Sequence, residues 1–381
     1  MQSRTWHRLF LRAALSGAHI FAWVFIFQFL FVRYGSIASA VAGTALTYGL
    51  AQAIAVLLTP LTAQRLRNGF RATIAYAVIA LACAFVALAA AFAGLLPEPA
   101  WGIGLFAVLL GLYRALYWIP YAVARERTPH LAPPWIEVLL ALLPIVTGFY
   151  LASSPAAPVA LLCTAAFVVL LSLVPLMRMR DGQEGYSWTY RQSFHELFSR
   201  QRRYYVLSSI LSGIEAAALL LLWPLLVFML LRWSYPVLGI VMALSALLTI
   251  VLRKRFGQRI AAASPAVHAV IAASAWVARL TVGGAIGVVV VDTYFETGSG
   301  ATSRGIDTRA YEHAADSSTF VDEHTALKEM SMGIGRIGLC LLTVLALDTL
   351  SVAAAFTLVF SFVAVCAACA ILAAQSRVRA I

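Results

Sequence analysis

Charge is what this sequence has least of. Only 12% of its residues are charged, and acidic side chains number 16. A soluble domain of 381 residues needs a solvated surface that so few charges cannot supply. Nucleotide- and metal-handling motifs are missing too. No phosphate-binding Gly-Lys loop, nucleophile elbow or zinc-binding pattern occurs, which argues against an enzyme and against an ATP-driven pump. Cysteines number five (Cys83, Cys163, Cys340, Cys366, Cys369), all inside apolar runs, so they read as small buried hydrophobes. Cys366 and Cys369 have CxxC spacing, but within an apolar segment without a nearby His, so neither metal nor cofactor is expected.

What is present is hydrophobicity: 62% of residues, with a mean hydropathy of +0.87. That is the composition of an all-α polytopic membrane protein. A spanning helix takes roughly 20 apolar residues, and this length holds about twelve. Arg4, Arg8 and Arg12 precede the first apolar run as in a signal peptide, but the run reads as a retained first span. The expected spans are about 13–32, 37–61, 73–95, 101–123, 135–152 and 159–177, then 204–231, 236–252, 267–280, 281–301, 326–347 and 352–374. Residues 1–177 and 204–381 thus form two six-span bundles. The linker 178–203 carries six arginines and has Tyr190, Phe194, Leu197 and Phe198 at helical spacing, so an amphipathic helix on the inner leaflet is expected there. Thr319 and Asp322 have capping-box spacing before the eleventh span.

The net charge of +12 has a topological explanation. When alternate connections are placed on one side, 23 of the 28 Lys and Arg fall there. Arg33, Arg232 and Arg279 lie opposite, and Arg114 and Arg336 lie within spans. This is the positive-inside pattern. It puts both termini in the cytoplasm of a bacterial inner membrane. The basic surplus then faces membrane lipids, and no nucleic acid is implied.

The halves carry similar basic, Gly-containing connections at matching places: QRLRNGFR (64–71) between spans two and three, RKRFGQR (253–259) between spans eight and nine. With the two-bundle layout and basic linker, these resemble the major facilitator superfamily across essentially the whole chain. That family's loop pattern is Gly-x-x-x-Asp-Arg-x-Gly-Arg-Arg. Here Pro60 stands at its Gly, Gln64 at its Asp and Arg65 at its Arg. Arg255-Phe256-Gly257-Gln258-Arg259 matches the tail more closely. Without the Asp, the loop's inter-helix charge relay is not expected. Asp292-Thr293-Tyr294 and Gly335-Arg336 also resemble spans ten and eleven of bacterial members.

The resemblance implies that spans one, four, seven and ten line a central cavity. Each holds an ionisable residue away from its ends: His19, Arg114, Glu215, and Asp292 with Glu296. Arg114, Glu215 and Asp292 each sit 11 or 12 residues from an inner boundary, or about 16–18 Å of helix rise. A shared depth near mid-membrane marks them as functional candidates, because charge there is costly.

Arg114, flanked by Tyr113 and Tyr117, is expected to bind an anionic substrate group, with a structural ion pair as the alternative. His19 and Gln28 are expected to face the same cavity. Glu215, Asp292 and Glu296 are the proton-coupling candidates, the alternative for the first two being permanent pairing with Arg114 or Arg336. Arg336, among Gly333, Gly335 and Gly338, is expected behind the cavity as a structural or gating partner of Asp292 or Glu296. Arg279 and Asp348 are expected near the outer face, solvated. The connector with Asp307, Glu312, His313, Asp316, Asp322, Glu323 and His324 is expected to be a solvated loop without metal.

The expected function is secondary active transport of a small organic solute by alternating access, coupled to protons as a symporter. Two readings stand beside it. One is a proton-antiporting drug or metabolite exporter, suited by Trp23, Tyr113, Trp118, Tyr294 and Phe295 near the charges. The other is a non-transporting membrane sensor or assembly protein.

Overall fold

The computed structural model describes residues 3–126, 134–179, 181–182, 185–298 and 321–379, and among these there are helices and no strands. The helices are α1 (Ser3–Tyr34), α2 (Ile37–Arg65), α3 (Phe70–Phe92), α4 (Pro99–Glu126), α5 (Pro134–Ser153) and α6 (Ala157–Leu171, continuing over Leu173–Met177). A short linker helix, Tyr190–Leu197, follows. Then come α7 (Arg203–Leu230), α8 (Tyr235–Ala261), α9 (Pro265–Leu280), α10 (described over 285–298), α11 (Val321–Thr349) and α12 (Val352–Arg379). By length and composition, ten of these can cross a membrane; α9 is apolar but shorter.

Local chemistry sets many of the boundaries. Ser36, Ser234 and Ser264 each accept a hydrogen bond from a backbone N–H in the first turn of α2, α8 and α9, and α8 and α9 begin with proline in that turn. The α6 helix breaks at Ser172. Pro175 has no N–H for the bond back to Leu171, and His7 of α1 takes up the Ser172 carbonyl at 2.9 Å. In α7, residues Ala218–Leu222 form a π turn just before Pro224, again where a helical N–H is missing.

Some boundaries differ from the sequence reading. The basic stretch 253–259 is the last part of α8, not a connection, because nothing before Ser264 stops the helix. Residues 281–284, with Gly283 and Gly284, form the turn between α9 and α10, so α10 begins at 285. Thr319 of the capping box and the connector residues Asp307 to Asp316 lie outside what is described, whereas Asp322, Glu323 and His324 belong to α11, where Glu323 is fully buried and not part of a solvated loop.

Helices α1–α6 pack mainly among themselves: α3 on α4 and α6, α2 on α4, and α1 on α2, α5 and α6. In the second half, α11 and α12 pack on α7, and α12 packs on α9. Two broad contacts join the halves, α2 with α11 and α5 with α8. Lipid tails give helices no hydrophobic reason to associate, so close backbone approach does the work. At Gly239 of α8, an added Cβ would stand 2.1 Å from the Pro144 carbonyl oxygen of α5. Large apolar side chains such as Ile286, Leu345 and Val365 are exposed, forming a lipid-facing surface.

The end of the structure carrying the α7–α8 turn is sealed between the halves. Trp233 packs on Phe27 and Phe31 of α1 at 5.2 and 5.0 Å between ring centroids. Trp233 has φ of 64° and Arg232 of 55°, a region that costs a bulky residue roughly 1–3 kcal/mol. Tyr235 packs on Phe21, Phe25 and Phe228, and its hydroxyl donates to the Gln28 side chain. At the opposite end the linker is strapped down. Arg67 and Gln64 donate to the Tyr186 and Trp188 carbonyls, and Glu323 of α11 accepts from the Ser187 amide and hydroxyl. A linker helix covers Tyr190–Leu197, with Ser193 and Leu197 buried and Phe198, at its C-cap, exposed.

Candidate functional site

Most of the expected site residues fall into two clusters, one within the second half and one at the junction of the halves. The first forms where α7, α9 and α10 meet. Arg279 of α9 and Asp292 of α10 make an ion pair at 3.0 Å, with side chains only 1% and 10% exposed. The Arg279 guanidinium lies over three rings, Trp276 at 4.4 Å, Phe295 at 4.6 Å and Trp223 at 5.1 Å. Trp223 donates its indole N–H to the Asp292 carboxylate at 2.8 Å, and Trp276 donates to Glu215 at 3.1 Å. The π turn explains how α7 presents both Glu215 and Trp223 here. Eight residues along a regular helix leave two side chains about 80° apart, and one residue absorbed in a wider turn returns them to nearly one face.

Arg279 is thus not a solvated outer residue but the buried partner of Asp292. Its short helix ends in a turn that keeps it against the rings, and Trp276 three residues earlier stacks on it. Asp292 pairs with neither Arg114 nor Arg336. Glu296 shares a helical face with Asp292 but is half exposed, and it pairs with Arg253 of α8 at 3.0 Å. Asp348 is exposed, as expected.

The second cluster lies between α1, α2, α4 and α11. Arg336 of α11 is 6% exposed and donates to the Gln52 side chain of α2 at 3.3 Å. It is therefore a partner of Gln52, not of Asp292 or Glu296. It also stands at the junction of the halves, not behind it. Gly333 makes this possible, since a Cβ there would be 2.3 Å from the Val56 side chain of α2. Arg114 of α4 acts electrostatically on both Arg336 and His19. It makes no ion pair or hydrogen bond among the described residues. His19 packs edge-on to Trp23, which packs on Tyr48 of α2. Tyr113 stacks toward Tyr117 at 5.3 Å. Tyr117 reaches His7 at 3.5 Å, turned toward the start of α1. Gln28 belongs to neither cluster, being held by Tyr235 at the sealed end.

Equal depth along three helices therefore does not bring three charges together. Glu215 and Asp292 share a cluster, and Arg114 sits in the other. The sequence reading missed Arg279, Trp223, Trp276, Tyr48 and Gln52. For Arg279 the available signal was the Trp three residues before it in a short apolar helix. For the others no local pattern distinguishes them.

No family model matches this sequence, and no curated protein does. Solved structures do. The crystal structure of a nucleoside transporter, NupG, aligns with a TM-score of 0.62 at 15% identity over 98% of both chains. A D-xylose-proton symporter aligns with a TM-score of 0.63 at 12% identity over 95% of both chains. A single-residue variant of the E. coli fucose:proton symporter FucP aligns with a TM-score of 0.56 at 14% identity over 98% of both. FucP is described as a major facilitator superfamily transporter.

This chain has the major facilitator fold.

In that fold, helices α7, α9 and α10 bring Glu215 and the Arg279–Asp292 pair together, while α1, α2, α4 and α11 gather the second cluster across the junction of the halves. Among the described residues, no group of three or more His, Cys, Asp or Glu is arranged to hold a metal.

Proposed function

We propose that this protein is a secondary active transporter that moves a small organic solute by alternating access, with protons as the coupling ion. On this reading the chain crosses a bacterial inner membrane twelve times, with both termini and the 178–203 linker cytoplasmic. Residues 1–177 and 204–381 rock as two bundles. The sealed aromatic end is then the outer gate, and the molecule is in a state closed to the outside. The observation that carries the reading is the buried carboxylate arrangement inside a fold shared end to end with transporters. Asp292 is already matched by Arg279, so its charge is held. Glu215 has an indole N–H but no direct cation among the described residues, which makes it the carboxylate that takes up and releases the proton. Glu296, half exposed and held by Arg253, is a brace between α8 and α10 in this scheme, not a proton carrier.

The test uses the purified protein in liposomes loaded with a pH-sensitive dye. Pentoses, hexoses, nucleosides and small carboxylates are added outside in turn. A transported solute should acidify the lumen, and Glu215→Gln should abolish that proton movement while leaving solute exchange intact. Normal acidification by Glu215→Gln would remove the proton role from this residue. The absence of flux or exchange with every solute class would favour the non-transporting reading.

A further inference from the structure

The second cluster has an imbalance that the proposed proton chemistry does not use. Arg114 and Arg336 come from opposite halves of the chain and act on each other, and no carboxylate lies within ion-pairing distance of either among the described residues. The acidic group that acts on Arg336 is Glu329, two turns away on the same helix. His19, packed edge-on to Trp23, lies within the field of Arg114 and brings no carboxylate to offset it. Two guanidiniums sharing a low-dielectric region repel each other, and the arrangement persists only with water or a counter-anion between them.

Polar groups around them are also left over. The Gln52 amide N, the Tyr48 and Tyr113 hydroxyls, the Trp23 indole N–H and the Arg336 Nε are buried without a hydrogen-bond partner. Buried polar groups are normally satisfied, so several orphaned ones in one place need a common explanation. Every one of the five can donate a hydrogen bond, and beside two guanidiniums they form a set complementary to one ligand type. A guanidinium fork matches the paired oxygens of a carboxylate or phosphate, and neutral donors complete its shell.

We infer that Arg114 and Arg336, with Gln52 and Tyr113, form a binding site for an oxyanion, and that the transported solute carries a carboxylate or phosphate there. The inference rests on the transporter reading above and narrows its substrate class. It also gives the anion a mechanical role. Arg114 is on α4 and Arg336 on α11, so an anion held by both draws the two halves together and replaces their repulsion with two attractions.

The experiment is thermal unfolding of the purified full chain in a neutral, lipid-free detergent. Four probes are added at equal concentration: succinate, inorganic phosphate, D-xylose and uridine. A fifth arm adds phosphatidylglycerol. Succinate or phosphate should raise the melting temperature in a dose-dependent way, and the stronger of the two identifies the headgroup. D-Xylose and uridine should not raise it. Arg114→Gln and Arg336→Gln should each weaken the anion effect at least tenfold, and Arg114→Lys should fail to restore it. Both glutamine variants should fold at least as well as the parent without ligand, because each removes one of two charges that repel each other. Phenylglyoxal labelling of Arg114 and Arg336, read by mass spectrometry, should be suppressed by the stabilising anion. The inference is overturned if neither anion stabilises or protects, if stabilisation survives unchanged in both glutamine variants, or if phosphatidylglycerol alone has the effect. Its failure is separable from that of the transporter reading. Flux of D-xylose or uridine without anion binding keeps transport and removes the oxyanion, whereas anion binding with no flux of any solute does the reverse.

Discussion

Replacing Arg279 with methionine probes a deeply buried charge. The change removes a 3.0 Å ion pair and leaves Asp292 with one remaining donor, the Trp223 indole. Breaking a buried pair on one side costs about 3–5 kcal/mol, mainly because the surviving charge is uncompensated. The guanidinium also lies over three rings, and a desolvated contact of that kind is worth about 2 kcal/mol. Methionine recovers part of this through sulfur–ring contacts of about 0.3–1.5 kcal/mol each. The net expectation for Arg279→Met is a loss of about 4 kcal/mol. Asp292→Asn should cost less, because Glu215 also acts on Arg279 and serves as a substitute partner. Arg279→Met/Asp292→Asn should recover most of the loss, giving a coupling energy of about 3 kcal/mol. The assay is unfolding of the purified variants in mixed micelles, compared as a double-mutant cycle. A single-variant loss under about 1 kcal/mol, or a double variant no better than Arg279→Met, would refute a structural role for the pair. The charge on Asp292 would then be free to titrate, and proton coupling could not be confined to Glu215.

Three further outcomes follow from the structure. In a cysteine-free background, Gln192→Cys and Ser154→Cys should label from opposite sides of intact cells, since both positions are exposed and lie at opposite ends of the helices; labelling from one side would undo the assigned orientation. Gly335→Ala should lower the yield of folded protein, costing several kcal/mol by steric clash with the Ile210 carbonyl, and normal thermal stability would contradict the tight α7–α11 contact. Trp233→Ala should open the sealed end, removing ring contacts to Phe27 and Phe31, so that a cysteine placed at Gln28 reacts faster with an impermeant thiol reagent than in the Trp233 parent; an unchanged rate would show that Trp233 does not close this end.

The sequence alone determined the class of the protein and the placement of its helices. Scarcity of charge and twelve apolar runs leave helices as the way to satisfy backbone groups in lipid, and that constraint acts locally along the chain. The same scarcity made Arg114, Glu215, Asp292 and Arg336 visible as residues that had to be explained. Partnership was decided by the tertiary structure. Depth along a helix can be counted from the sequence, but the direction of a side chain around the helix depends on packing and on local defects. The π turn in α7 rotates Trp223 into line with Glu215, and nothing in the spacing of the two residues announces it. Arg279 was assigned to solvent because it lies at the end of a short helix, yet Trp276 of that helix and Trp223, Phe295 and Asp292 of two others enclose it. Arg336 was placed behind the cavity because its position was taken from the layout of the fold. Close contact between Gly333 and Val56 of α2, in helices more than two hundred residues apart, puts it beside Gln52 and within the field of Arg114. Charges in a membrane must find partners, and the identity of each partner depends on contacts that are far apart in the chain.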